Sequence, residues 1–309
     1  MRVQQYGKSL AELSGLFGFS RQHYYQQCRR LDHVQAKEAK VLVFVEEQRL
    51  DQPQLGTNKL QWLWNKSHPK ASIGRDALYD LLRRHNRLIR RRKRYRPKMT
   101  NGDGKSIYAD LRKDLKVDRP NHLWCSDITY LDIYNDHKHA YLICITDEYS
   151  HKVVGYHVGY RMRKEELVMA LQQAVMAELP KGASHFTAPL ILHSDRGSQY
   201  KSQEYIDCTN QYRIQRSMTR AGASHENPVA ERINGILKNE LIQQQGFDDL
   251  TQAQQWVDQA IKIYNEKRPH LSCQMLTPNE AHQKQGPLKK LWRGRKKRPL
   301  EVFFSEAPQ

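Results

Sequence analysis

Between residues 123 and 244, strand-like and helical stretches follow one another in the order βββαβαβα. The strands read at 123–131, 138–146, 152–158, 190–194 and 213–218, and the helices at 164–179, 202–211 and 228–244. Three hairpin-like strands followed by alternating helix and strand imply a mixed sheet with helices on its faces. The first of these helices places Leu167, Ala170, Leu171, Ala174 and Val175 on one side, at the spacing of a buried stripe. A further helix is expected at 250–266.

Acidic residues stand at exceptional places in this pattern. The apolar run Leu190-Ile191-Leu192 stops at HSDRGSQY, so Asp195 lies where a buried strand emerges into a loop. Open α/β sheets place their chemistry at such strand ends. Asp127 lies inside another run, Leu123 to Leu131, where alternation puts Leu123, Cys125, Asp127, Thr129 and Leu131 on one face. Burying a carboxylate there is costly unless a divalent cation or an arginine compensates its charge. Asp118, Asp132 and Asp147 compete for the same role, but Asp127 alone is mid-strand with apolar neighbours on both sides. Two carboxylates brought together raise each other's pKa unless they share a cation. Glu231, within PVAERINGILKNEL and separated from Asp195 by 35 residues, completes an all-oxygen set suited to Mg²⁺ or Mn²⁺. Two such ions can activate an attacking oxygen and stabilise a leaving oxygen in phosphoryl transfer.

The net charge of +18 is unevenly distributed. Residues 1–116 carry 26 Lys and Arg against 11 Asp and Glu, and residues 284–309 carry 8 against 2. Residues 117–283 carry 17 against 20. A near-neutral centre between basic flanks points to a core held between polyanion-binding arms. Ten Lys and Arg without an acid occupy residues 83–98, among them Arg83, Arg84, Arg90, Arg91, Arg92, Lys93 and Arg94. Cations so crowded repel one another unless a polyanion neutralises them. The five cysteines have no CxxC spacing and read as reduced thiols of a cytoplasmic, nucleoid-associated protein, with Cys125 and Cys144 in the core. No apolar run is long enough for a membrane span.

The basic N-terminal part is helical in pattern. Residues 8–27 read as two short helices around Gly18, the second capped by Ser20 and ending near Gln27. Helices at 38–48, 57–65 and 72–86 follow, the last carrying Arg75, Arg83 and Arg84 opposite its apolar stripe. Both groups have the spacing of helix-turn-helix units, which can enter a major groove. The resulting division is 1–35, 36–98, a linker at 99–116, a core at 117–283 and a basic tail at 284–309.

Taken together, SDITYLD, HSDRGSQY and NPVAERINGILKNE resemble the DDE catalytic core of insertion-sequence transposases. The OrfB-type proteins of the insertion sequence three family, relatives of retroviral integrases, match most fully. YNEKRPH at 264–270 and LTP at 276–278 resemble that family's C-terminal signature, so the likeness covers nearly the whole chain. It implies an RNase H-like five-stranded mixed sheet with helices on both faces, preceded by helix-turn-helix units. It implies Asp127, Asp195 and Glu231 as catalytic and metal-binding residues, and Mg²⁺ or Mn²⁺ as cofactor, two ions on DNA. It places Lys238 in the same groove on DNA, with Gln199, Asn227 and Asn234 lining the site or serving as caps and turns. His193 reads either as a core histidine or as a group orienting a phosphate. The implied partners are double-stranded DNA, further copies of the chain on that DNA, and the product of an upstream frame, separate or fused. The paired Cys spacing of a structural zinc domain is absent, so no structural zinc is expected.

Overall fold

The computed structural model describes residues 9–89, 107–113, 115–134, 138–219, 228–242 and 246–291. The chain divides into two compact units, Met1–Lys98 and Met99–Gln309.

The first unit is helical. Helix α1 (Leu10–Leu16) starts with a capping box in which Ser9 and Glu12 satisfy each other's backbone N–H groups. Ser20 caps α2 as expected, accepting from His23 N, but α2 runs unbroken from Arg21 to Asp51. Two helices expected at 20–27 and 38–48, and the boundary drawn at residue 35, are therefore one continuous element. The stretch between them, residues 28–37, holds no Gly or Pro and includes the good helix formers Arg29, Arg30, Leu31, Gln35, Ala36 and Lys37, so nothing stops helix propagation. Helices α3 (Thr57–Ser67) and α4 (Arg75–Arg84) pack on its second half. Val41, Val45, Leu55, Leu60, Trp64, Leu78, Leu81 and Leu82 form that core. Trp64 donates its indole N–H to the Ala71 carbonyl at 2.8 Å and stacks on His68.

The second unit is built on five strands: β1 (Leu123–Ile133), β2 (Lys138–Asp147), β3 (Val153–Gly159), β4 (Leu190–Ser194) and β5 (Ile214–Met218). Their order is β3-β2-β1-β4-β5. The first three are antiparallel, whereas β4 and β5 run parallel to β1. This is the mixed sheet that the strand pattern implied, in the RNase H-like form that the resemblance implied. Helices α5 (Lys164–Glu178) and α6 (Gln203–Gln211) bury one face with Trp124, Ile143, Ile145, Leu190 and Leu192. Leu167, Leu171 and Val175 of α5 are each fully buried there, and each contributes about 1.5–3 kcal/mol of apolar transfer energy. Gly155 lets α5 approach closely, because a Cβ at that point would strike the Ala170 carbonyl and the Ala174 side chain.

Helix α7 (Pro228–Ile236) and α8 (Leu250–Lys267) cover the other face with Leu131, Leu142, Cys144 and Val158. The single helix expected at 228–244 changes at Leu237 into a π-helical turn, Leu237–Ile242. Helix α9 (Pro278–His282) follows, opened by a capping box of Thr277 and Glu280.

The segment expected as linker to residue 116 is already part of this unit from residue 107. Tyr108 packs on the sheet core, Leu115 and Val117 pack beside Leu123 and Ile191, and Leu111 N donates to Ser217 Oγ at 2.9 Å. Apolar side chains and a free backbone row beside β5 outweigh its polar composition. The start of the basic tail also returns to this unit: Gly286 N donates to Asp118 O, and Tyr149 donates its hydroxyl to Gly286 O. Lys289 and Lys290 are described, and the tail from residue 292 lies outside the described residues. Among the described residues no helix is long and apolar enough to cross a membrane. All five cysteines are free thiols, with Cys125 and Cys144 buried.

Candidate active site

The pleat of β1 turns Leu123 and Cys125 toward the face where they meet Ile191 of β4 and Ala230 of α7. Asp127 is the next residue on that face. In the parallel pairing of β1 with β4, the last partners are Cys125 and His193. Asp127 and Asp195 each stand two residues beyond them, so both emerge on the same side at the same end of the sheet. Helix α7 packs across β1, and Glu231 follows the buried Ala230 in its first turn, where the helix dipole favours a carboxylate.

The Asp127 carboxylate is held from two directions. Oδ1 accepts from Ile128 N and Oδ2 from the Asn234 amide, both at 2.9 Å. Burial is the largest influence on its pKa and pushes it up to about 6. The two hydrogen bonds pull it down, and the charges of Asp195 and Glu231 push it up again. Asp195 and Glu231 each therefore lie near enough for their charge to act on the Asp127 carboxylate. Asp195 is exposed and its Oδ1 accepts from Gly197 N at 2.9 Å, closing a tight turn. Glu231 is also exposed. Among the described residues, no three His, Cys, Asp or Glu side chains converge tightly enough to enclose an ion as they stand. The donor set itself suits a hard divalent cation: only carboxylate oxygens, one of them desolvated, with its pKa raised first by burial and then by the charges of Asp195 and Glu231.

Behind Asp195, the buried hydroxyls of Tyr200 and Ser126 lie 2.8 Å apart and tie the HSDRGSQY turn to the opposite face of β1. The sequence reading did not single out this link, although Tyr200 lies within the motif. Gln199 is half-buried, with its amide lying over Gly197. Asn234 is buried, and its Oδ1 has no hydrogen-bond partner among the described residues. His193 resolves to a core histidine. It is fully buried, and its Nδ1 shares a hydrogen bond with Ser217 Oγ at 2.9 Å. Burial first, and then Arg112, hold its pKa down to about 4, so it is neutral at pH 7 and does not present a charge to a phosphate. Lys238 is half-buried in the π-turn. Asn227 lies outside the described residues.

The competing acids are engaged elsewhere. Asp147 is fully buried and accepts from Ser150 N and Oγ at 2.7 Å and from Asn121 N at 2.8 Å. Asp132 contacts His139, and Asp118 contacts Arg119 and His122.

Of the cations expected to meet DNA, Arg75, Arg83 and Arg84 are exposed on α4 but not unopposed. Arg75 pairs with Asp76 at 2.9 Å, Arg83 with Asp80 at 3.3 Å, and Arg84 with Glu38 at 2.6 Å. Arg90, Arg91, Arg92, Lys93 and Arg94 lie outside the described residues.

The integrase core domain family matches residues 117–224, and a second model of the same description matches residues 212–278. The insertion element IS600 31 kDa protein of Shigella sonnei is 31% identical over 274 residues, covering 87% of this chain and 97% of that protein. The transposase of insertion sequence element IS904 from Lactococcus lactis subsp. lactis is 31% identical over 190 residues, covering 60% of this chain and 72% of that one. The chain belongs to the insertion-sequence transposases. Asp127 and Asp195 fall within the first integrase-core match of this transposase, and Glu231 and Asn234 within the second. Among solved structures, the catalytic core domain of HTLV-2 integrase in complex with magnesium is 22% identical, with a TM-score of 0.41, covering 53% of this chain and 97% of that one.

Proposed function

We propose that this transposase cleaves DNA at the ends of its own insertion element and joins the freed 3′ ends to a target strand. The observation that carries the reading is Asp127: a desolvated carboxylate, hydrogen-bonded by Asn234 and under the field of Asp195 and Glu231. Such an arrangement is costly for a fold and useful to a phosphoryl-transfer site. Asp127, Asp195 and Glu231 would hold Mg²⁺ or Mn²⁺, two ions when DNA is bound, which supply charge neutralisation and activation of the attacking and leaving oxygens. Asn234 keeps one Asp127 oxygen fixed in direction. The Gly197 N–H does the same for Asp195, so neither carboxylate has to be ordered when substrate arrives. Gln199, Asn227 and Lys238 line the approach to the scissile phosphate.

Element ends are read by the N-terminal helices. Phosphate contacts from Arg90, Arg91, Arg92, Lys93 and Arg94 add salt-sensitive affinity. Arg75, Arg83 and Arg84 contribute after exchanging their carboxylate partners for phosphates. Two ends must be held together, so the working species is a homo-oligomer on DNA, alone or joined to an upstream-frame product.

The test is cleavage and joining of end-containing DNA with Mg²⁺, using Asp127→Asn, Asp195→Asn and Glu231→Gln. Each is expected to lose activity by at least 10³-fold, in the range of lost transition-state charge stabilisation, with DNA binding retained. Wild-type activity in Asp195→Asn removes the site as assigned. Cutting without joining by the wild-type protein would make it a nuclease of the same fold.

A further inference from the structure

The stretch YNEKRPH, residues 264–270, takes no part in the chemistry above, yet its side chains bind the two ends of the α7–α8 layer together. Tyr264 is fully buried and donates its hydroxyl to His151 O at 3.0 Å. Asn265 clamps the outer edge of β3, accepting from Val153 N at 3.0 Å and donating to Val153 O at 2.9 Å. His270 packs its ring against Tyr264 and His151. Arg268, with 3% of its side chain exposed, forms an ion pair with Glu240 Oε2. The other Glu240 oxygen receives Arg232 of α7 at 3.3 Å.

Glu240 lies inside the π-turn that continues the helix carrying Glu231. In an α-helix, positions five apart point about 140° away from each other. Here Leu237 and Ile242 are both buried in the same core, as an i→i+5 turn allows. The widened turn therefore keeps its apolar residues inward while Glu240 reaches Arg268. A buried guanidinium left without its carboxylate would be heavily penalised, so the pair tolerates little displacement of the turn.

We propose that Arg268 is a positioning residue for the catalytic helix: by gripping Glu240 it fixes the π-turn, which carries Lys238, and with it how α7 presents Glu231 to the site. The inference rests on Glu231 being a site carboxylate.

The experiment uses the full chain and compares Glu231→Gln, Arg268→Lys and the double variant Glu240→Leu/Arg268→Met. The double variant replaces the ion pair with apolar groups of similar bulk, a change that buried pairs often tolerate without loss of stability. Three quantities are read: the thermal midpoint, Mn²⁺ affinity by calorimetry without DNA, and kcat and KM on end DNA. The expected result is a double variant that melts at or above the wild-type temperature. It nevertheless binds Mn²⁺ at least ten-fold more weakly and loses kcat at least ten-fold at unchanged KM. Arg268→Lys, which keeps the charge but not the planar fork, is expected to lose kcat several-fold at unchanged KM. Wild-type Mn²⁺ affinity and kcat in either folded variant overturn the proposal and leave the pair a stabilising contact only. Full activity in Glu231→Gln, by contrast, overturns the assignment of the site.

Discussion

The Asn234 amide donates to Asp127 Oδ2 across 2.9 Å, joining α7 to the middle of β1. That bond opposes the burial that raises the Asp127 pKa to about 6. In Asn234→Ala the opposition is lost and the pKa rises further. The acid limb of the pH–rate profile should move to higher pH, with activity at pH 6 reduced about five-fold for the first pKa unit gained. An unchanged acid limb would show that the bond does not govern Asp127.

Asp127 also costs the fold stability. Its folded pKa of about 6 exceeds the ordinary value of 3.8, so the folded state binds its proton more tightly than the unfolded state. Stability is therefore lost as pH rises from about 4 to about 6, and the penalty is complete above that. Asp127→Asn should stabilise the metal-free protein at pH 7.5 by about 1–3 kcal/mol and by much less at pH 4. Denaturant melts at the two pH values check both halves of this expectation.

His282 of α9 sits between two carboxylates, 2.7 Å from Glu178 and 3.6 Å from Asp147, and 2.9 Å from Ser150 Oγ. Burial opposes its charge, but Asp147 and Glu178 outweigh it and raise its pKa to about 9. Burial likewise opposes the charge of Glu178, but His282 and Lys152 outweigh it and hold its pKa down to about 2. The His282 contribution is fully present below pH 6.5 and is lost as pH rises through about 9. The Glu178 contribution is present above pH 4.5 and is lost as pH falls through about 2. His282→Ala removes the cation shared by Asp147 and Glu178, leaving Glu178 to Lys152 and Asp147 to its hydrogen bonds from Ser150 and Asn121, and should destabilise the protein by about 3 kcal/mol at pH 6. The difference from wild type should shrink toward pH 10, which a series of thermal melts would reveal.

Replacing Arg90, Arg91, Arg92, Lys93 and Arg94 with Gln should weaken binding to all DNA sequences alike. If each cation meets one phosphate, the slope of log K against log salt becomes shallower by about 4–5. Fluorescence anisotropy across a salt series measures this. An unchanged slope would assign the affinity to other cations.

Much of the fold was legible because it depends on local pattern. The apolar stripe of α5, the strand runs and the cap at Ser20 are settled by neighbours in sequence. The long α2 carries the spacing of two helices but no breaker between them, so it continues where a helix-turn-helix would turn. The π-turn at Leu237–Ile242 was not legible, since its Glu240 meets Arg268, 28 residues further along the chain from Glu240.

By itself, the amino-acid sequence determined the order of strands and helices, the family, and which carboxylates stand at strand ends and on a helix, because periodicity and turn chemistry act over a few residues. Tertiary structure alone decided that Asp147 accepts from Asn121, that His193 is a neutral core residue, and that Arg84 faces Glu38. Each of those outcomes depends on which distant group supplies a hydrogen bond or excludes water, and only the folded chain brings such groups together.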